Sequence, residues 1–90
     1  MEALEQKVLW CAAKYALCLE EGDAMEAVLH TLRTKVGELS DKTLAELLTA
    51  VEAYVNRGRQ FEFDAKYLPE WSDALTWLLA ERRKREAKRA

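Results

Sequence analysis

The side chains best suited to chemistry in this sequence are two cysteines and one histidine. Cys11 and Cys18 lie seven residues apart, and His30 follows them. Two helical turns would separate the cysteine Cα atoms by about 10.5 Å along the axis, whereas a disulfide spans at most roughly 7 Å. Two thiols and one imidazole also fall short of the four ligands of a closed structural zinc site. We therefore predict two reduced thiols, no metal site and no bound cofactor.

The surroundings of these residues do not indicate an active site. His30 has Glu26 and Arg33 within one helical turn, a set that forms an exposed polar network as readily as an acid–base site. The cysteines lie on an apolar helix face, where burial would keep their thiols protonated and unreactive. The sequence has no glycine-rich phosphate loop, nucleophile elbow or paired-carboxylate motif. We expect a protein that is not an enzyme and has no catalytic residue.

The composition is that of one small globular domain. Half of the 90 residues are apolar and a third are charged, which is too apolar for a disordered chain. The formal net charge is −2, so the whole chain is not a polycation that binds nucleic acid unspecifically. The N-terminal residues begin acidic and lack the basic region of a secretory signal. We expect a cytoplasmic protein that does not enter a membrane.

Residues 8–19, VLWCAAKYALCL, form the most apolar stretch, in which Lys14 is the only polar residue. A helix that is apolar on nearly all sides is typically buried, and this one is too short to span a bilayer. We therefore predict a central first helix over residues 2–21. Its main inward face is predicted to be Val8, Cys11, Ala12, Tyr15, Cys18 and Leu19.

Helices 2 and 3 are predicted from apolar periodicity and from the residues that begin and end helices. Helix 2 is predicted over residues 24–36, with Gly22 ending helix 1 and Asp23 as the N-cap. Helix 3 is predicted to start at a Ser40 or Asp41 cap and to stop at Gly58. The inward stripe of helix 2 is Met25, Val28, Leu29, Leu32 and Val36, and that of helix 3 is Leu44, Leu47, Leu48, Val51, Tyr54 and Val55.

The last third of the chain is predicted to hold a short helical turn and a long helix. Residues 61–68 alternate aromatic and polar side chains and are interpreted as a loop with one helical turn. Pro69 opens the last helix, which directs Trp71, Leu75, Leu78 and Leu79 inward. We predict an all-α, compact bundle of four main helices plus this turn. Residues 1–80 make the domain, and residues 81–90 a solvated basic extension that frays.

A helix-turn-helix in residues 44–57 is the first alternative that the sequence raises. Ala45 and Val55 fall where such a motif needs a small residue and an apolar anchor. The turn would fall at Thr49 and Ala50, however, where no glycine permits it. One continuous amphipathic helix explains every apolar position and is the favoured interpretation.

The C-terminal ten residues are strongly basic. Residues 81–90 hold six basic and two acidic side chains, whereas residues 1–80 hold eight basic and fourteen acidic ones. This basic tail could contact nucleic-acid phosphates or an acidic protein, or could simply complement the helix dipole in solvent. No aromatic side chain is interleaved to stack on bases. The tail comprises Arg82, Arg83, Lys84, Arg85, Lys88 and Arg89.

Helix 1 has more apolar surface than one inward face requires. Trp10 and Leu17 lie opposite the predicted stripe, and Trp77 lies at the margin of the last helix. These three residues are predicted either to pack under other helices or to form an interface with a partner or a second copy. Aromatic side chains are enriched in such interfaces.

These features favour a small protein-binding module as the function. It would act as an adaptor, inhibitor or regulatory subunit on a larger protein, and its small single domain also fits a protein encoded by a phage or mobile element. The alternative is a regulator that binds nucleic acid through the basic tail, as a homodimer. A structural subunit is a third class, which a larger oligomer in solution would reveal.

Overall fold

The described residues, 2–19, 22–61 and 67–89, form four α-helices and one 3₁₀ turn in the computed structural model. The helices are α1 (Ala3–Leu19), α2 (Gly22–Lys35), α3 (Asp41–Phe61) and α4 (Leu68–Arg89), and the 3₁₀ turn covers Val36–Glu38. The predicted all-α bundle of four main helices is confirmed. The short turn predicted at 61–68 falls largely on residues 62–66, which lie outside the described residues.

The four helices are arranged in a ring. The closest packing is between α1 and α2, α3 and α4, α1 and α3, and α2 and α4. Helices α1 and α4 therefore lie on a diagonal, and each helix has one face toward the shared core. The prediction that helix 1 is central is wrong, because a ring of four helices leaves one side of α1 open to solvent.

The core combines residues from all four helices. The predicted inward stripe of α3 is buried at every position, and Met25, Val28 and Leu32 of α2 are buried as predicted. Trp71 is the largest fully buried side chain, and its ring meets that of Tyr54 edge-on with centroids 6.3 Å apart. The apolar period of α2, α3 and the first half of α4 thus identified the core face correctly.

The first helix is rotated relative to its prediction. Its buried residues are Gln6, Leu9, Ala13, Ala16 and Leu17. The predicted inward residues Val8, Cys11, Tyr15 and Cys18 are instead exposed. This prediction was wrong because α1 is apolar on both sides, so its periodicity does not select one of them.

Two of the glycines do not end helices as predicted. Helix α3 continues through Gly58, which is buried, to Phe61. Gly22 is the first residue of α2 rather than a left-handed end of α1, and a Cβ built there would lie 2.9 Å from the Tyr67 hydroxyl oxygen. The absence of a side chain at Gly22 therefore lets Tyr67 approach the start of α2.

The start of α3 is held by Ser40 and Gln6. The Thr43 backbone N–H donates to Ser40 Oγ at 3.2 Å, which identifies Ser40 as the predicted N-cap. The Ser40 backbone N–H donates in turn to Oε1 of the buried Gln6 at 2.7 Å. One polar side chain on the inner face of α1 thus fixes the junction between the 3₁₀ turn and α3.

Replacing Gln6 should loosen that junction. In Gln6→Leu the Ser40 N–H loses its acceptor in a partly buried site, and we expect the free energy of unfolding to fall by about 1–3 kcal/mol. Amide hydrogen exchange should show faster exchange of the Ser40 N–H. Lys7→Leu, at the exposed neighbouring position, is the control. Unchanged protection of Ser40 in Gln6→Leu would show that this hydrogen bond does not hold the junction.

Candidate interaction surface

Helix α1 presents a row of exposed apolar side chains, which we call the α1 stripe. Its members are Leu4, Val8, Cys11, Tyr15 and Cys18. Leu4, Val8 and Tyr15 are 70%, 60% and 51% exposed. Among the described residues, they are the large hydrophobic side chains that are exposed to solvent. Positions 4 to 18 span about 21 Å at 1.5 Å per residue. The stripe lies opposite the core face of α1 and points away from the bundle.

The two sides of the stripe differ in charge. On the side toward α3, α1 carries the exposed lysines Lys7 and Lys14. On the side toward α2, Glu5 borders a shallow groove whose far wall includes Ala27, Thr31 and Lys35. Asp23 precedes Ala27 by one helical turn and so continues the α2 wall. The α3 wall adds Lys42 and Glu46, so the α3 side carries three lysines against one glutamate and is basic on balance. The α2 side is mixed, with Glu5 and Asp23 against Lys35.

Both thiols belong to the stripe. Cys11 and Cys18 are free and exposed, so the prediction that burial makes them inert is wrong. They are on one helix and do not bridge each other, as their spacing predicted. A helix that packs along the whole stripe would lie over both thiols.

The structure does not bring the predicted patch of Trp10, Leu17 and Trp77 together. Leu17 is 8% exposed and belongs to the core, so it is not a surface residue of the isolated chain. Trp10 and Trp77 are half-buried against the core from α1 and α4, which lie on the diagonal of the ring. The Lys14 ammonium lies 5.5 Å from the centroid of the Trp10 ring, within the range of a cation–π contact.

Residues 81–89 of the basic tail are the last turns of α4, and two of them, Arg85 and Arg89, contact the rest of the bundle. Arg85 is only 17% exposed and donates to Asp41 Oδ1 at 3.0 Å and to Glu81 Oε1 at 2.9 Å. It also donates to the Val36 carbonyl oxygen at 3.4 Å. Arg85 therefore ties the end of α4 to the 3₁₀ turn and to the start of α3, which corrects the prediction of a solvated, frayed extension at this residue.

The other tail residues are exposed. Arg89 donates to the second oxygen of Asp41, and Arg82 lies 3.9 Å from Glu86. Arg83, Lys84 and Lys88 are exposed on the same turns of α4. Beside the tail, α3 and α4 border a groove of about 580 Å³ that contains both Glu52 and Arg82. The mixed charge of this groove does not select an anionic ligand.

The Asp41 carboxylate has its pKa held below the ordinary value of 3.8. The main cause is the hydrogen bond from Arg85, to which the charge and hydrogen bond of Arg89 add, while partial desolvation opposes them. Asp41 also lies in the first turn of α3, where the helix dipole favours an anion. The ionised form of Asp41 is therefore the form that makes the contact between the start of α3 and the end of α4.

This contact should make stability depend on acid pH. Because the pKa of Asp41 is lower in the folded chain than in the unfolded one, its stabilisation is complete above about 3.8 and is lost as pH falls through the folded value. We expect Asp41→Asn to be less stable than the wild type at neutral pH, with a difference that shrinks on acidification and in high salt. Urea unfolding across pH measures this. Asp73→Asn, an exposed change on α4, is the control, and a pH-independent difference for Asp41→Asn would contradict the assignment.

The structure also locates His30 and tests the helix-turn-helix alternative. His30 is exposed on α2, and among the described residues no group of three or more His, Cys, Asp or Glu side chains is arranged to hold a metal ion. Helix α3 is continuous through Thr49 and Ala50, which contradicts a helix-turn-helix with its turn there. Within the described ranges no helix is both long and apolar enough to cross a bilayer.

Four of the five stripe residues, all except Leu4, were recognised in the sequence as one apolar face of helix 1, but that face was assigned to the core. The small residues Ala13 and Ala16 were the available sign of the true core face, since they permit close packing of neighbouring helices and both are fully buried.

Comparison of the chain with protein-family models, with curated proteins and with solved structures finds no match.

Proposed function

We propose that this protein is a small, non-enzymatic protein-binding module that contacts its partner through the α1 stripe. The observation that carries the proposal is the exposure of Leu4, Val8 and Tyr15 in one row on the solvent side of α1. Contiguous exposed apolar surface of this kind marks interaction sites on soluble domains. Packing a partner on it would remove the row from water, which is the main favourable term in protein association.

The shape of the stripe supports a protein partner. It is about 21 Å long and one side chain wide, which matches the apolar face of a helix lying along α1. Its polar borders would form the rim of such an interface. A bundle that presents one rigid helix in this way loses little conformational entropy on binding, because α1 is already packed on α2 and α3.

Affinity capture with matched variants tests the proposal. Tagged wild type, Val8→Glu and Ala80→Glu are immobilised, and nuclease-treated lysate of the native host is passed over each. Val8→Glu places a charge in the middle of the stripe, whereas Ala80→Glu adds the same charge at an exposed position of α4. We expect proteins retained by the wild type and by Ala80→Glu to be lost from Val8→Glu. Equal retention on all three would refute binding through the stripe.

Nucleic-acid binding through the basic tail is the second proposal. It is supported by the exposed Arg83, Lys84 and Lys88, and it requires an affinity that falls steeply with salt. The variant Arg83→Gln/Lys84→Gln/Lys88→Gln removes these charges and leaves the contacts of Arg85 with Asp41 in place. Fluorescence anisotropy with labelled duplex DNA and RNA should show salt-dependent binding that this variant loses. Binding that is absent at low salt would exclude this alternative.

A further inference from the structure

We infer that the partner of the α1 stripe is a second copy of this chain, packed through a parallel pairing of the two α1 helices. This inference rests on the proposed function and names the protein that the stripe binds. It follows from three properties of α1: the spacing of its exposed apolar residues, the distribution of charge beside them, and the positions of the two thiols.

The spacing of the stripe is that of a coiled-coil seam. Its members follow one another in alternating steps of four and three residues. This pattern places Val8 and Tyr15 at the a positions of a heptad, and the other three members at d positions. A row confined to a and d positions is narrower than the face that a helix turns to a globular core, and it fits one other helix. The opposite face of α1 already packs in the core, so α1 can serve both.

The charges beside the stripe favour a parallel pair of identical helices. In a parallel pair related by a two-fold axis, the basic side of one α1 faces the α2 side of the other. Lys7 then lies across from Ala12, whose side chain the lysine stem can cover, and Lys14 lies across from the C-terminal end of α1, beside the α2 wall that starts near Asp23. In an antiparallel pair each side meets its own copy, so lysines would face lysines. Like charges at such positions are destabilising.

The two thiols allow the parallel arrangement of the α1 helices to be tested by disulfide formation. Cys11 and Cys18 both occupy d positions, so in a parallel, in-register pair each lies directly opposite its own copy, with helix axes about 8–10 Å apart. That spacing with both side chains directed inward permits a disulfide. In an antiparallel pair the facing thiols would instead belong to different positions, or none would face each other.

The oligomeric state of the purified full chain tests the inference. Sedimentation of reduced protein over a wide concentration range should show a reversible shift from one to two chains. Val8→Glu should abolish the shift, because it places two carboxylates face to face in the seam, while Ala80→Glu should retain it. Circular dichroism confirms that both variants stay helical. A chain that stays monomeric at every concentration, or dimers that persist in Val8→Glu, would overturn the inference.

Single-cysteine variants decide the orientation. Cys11→Ser and Cys18→Ser each keep one thiol, and mild oxidation with diamide, which is itself reduced to the hydrazine, converts facing thiols to a disulfide. We expect both variants to give covalent dimers on a non-reducing gel. Crosslinking of the wild type alone would overturn the parallel arrangement. A monomeric chain that still captures a different protein through Val8 would refute self-pairing and leave the proposed function standing. A chain that neither dimerises nor captures a protein through Val8 would refute both the inference and the proposed function.

Discussion

Trp71→Ala is expected to cause the largest loss of stability of any single change considered for this fold. Trp71 is 1% exposed and lies on α4 where this helix meets α3, with its ring edge-on to that of Tyr54. Replacing a fully buried tryptophan by alanine typically costs about 3–5 kcal/mol, because apolar burial is lost and the surrounding helices fill the cavity only in part. A domain of this size is stable by only about 5–15 kcal/mol. The loss is therefore a large fraction of the total stability, and the variant should unfold at a clearly lower temperature.

Thermal unfolding followed by circular dichroism at 222 nm measures this effect, and the midpoint should fall by about 12 °C or more. Trp77→Ala is the matched control on the same helix, since Trp77 is only half-buried. Trp77→Ala should lower the unfolding midpoint clearly less than Trp71→Ala does. Trp71→Phe, which keeps an aromatic ring against Tyr54, should recover part of the loss. Equal losses for Trp71→Ala and Trp77→Ala would mean that α4 is rotated relative to the core described above.

The second large effect is expected for Leu17→Ala on α1. Leu17 is 8% exposed and packs in the core, so we expect a loss of about 2–5 kcal/mol in the free energy of unfolding. Leu4 has the same side chain on the same helix but is 70% exposed, so Leu4→Ala should change stability by about 0.5 kcal/mol or less. Urea unfolding at a concentration where the chain is monomeric gives both values.

This pair of variants tests which face of α1 is buried. If the face with Val8 and Tyr15 were the core face, Leu4→Ala would be the more costly change and Leu17→Ala would be nearly neutral. Such a result would also remove the basis for the α1 stripe. The two variants share one residue type and one helix, so their difference reports burial and not helix propensity.

The binding prediction is separate from these stability predictions. Val8→Glu lies outside the core and should leave the monomer folded, because its side chain is 60% exposed. Its effect should appear only in association. Trp71→Ala and Leu17→Ala, in contrast, should lower stability at any concentration. Association and folding can therefore be measured independently in this chain.

Much of the fold could be predicted from residue patterns. The period of Met25, Val28 and Leu32 on α2 identified its core face, and the same argument placed the whole stripe of α3. Ser40 and Asp41 were the two predicted caps of α3, and the structure selects Ser40, whose hydroxyl accepts from Thr43 N–H. These features are local: apolar side chains recur with the helical period, and a cap needs only its own next three residues.

Features that depend on contacts distant in sequence were not predicted. Arg85 was expected to be solvated, yet it is held by Asp41, which lies 44 residues earlier. Gly58 was expected to stop α3, but the helix continues because packing outweighs the roughly 1 kcal/mol that glycine costs in a helix. No local pattern reports such contacts.

The sequence by itself therefore determined the four α-helices of the described residues, and which faces of α2, α3 and α4 are buried. Only the tertiary structure decided which face of α1 joins them. Both faces of α1 are apolar, so their transfer from water favours either one nearly equally. The choice depends on shape, because Ala13 and Ala16 let neighbouring helices approach closely, and both are fully buried. The face with Val8 and Tyr15, which carries bulkier side chains, remains exposed as the candidate binding surface.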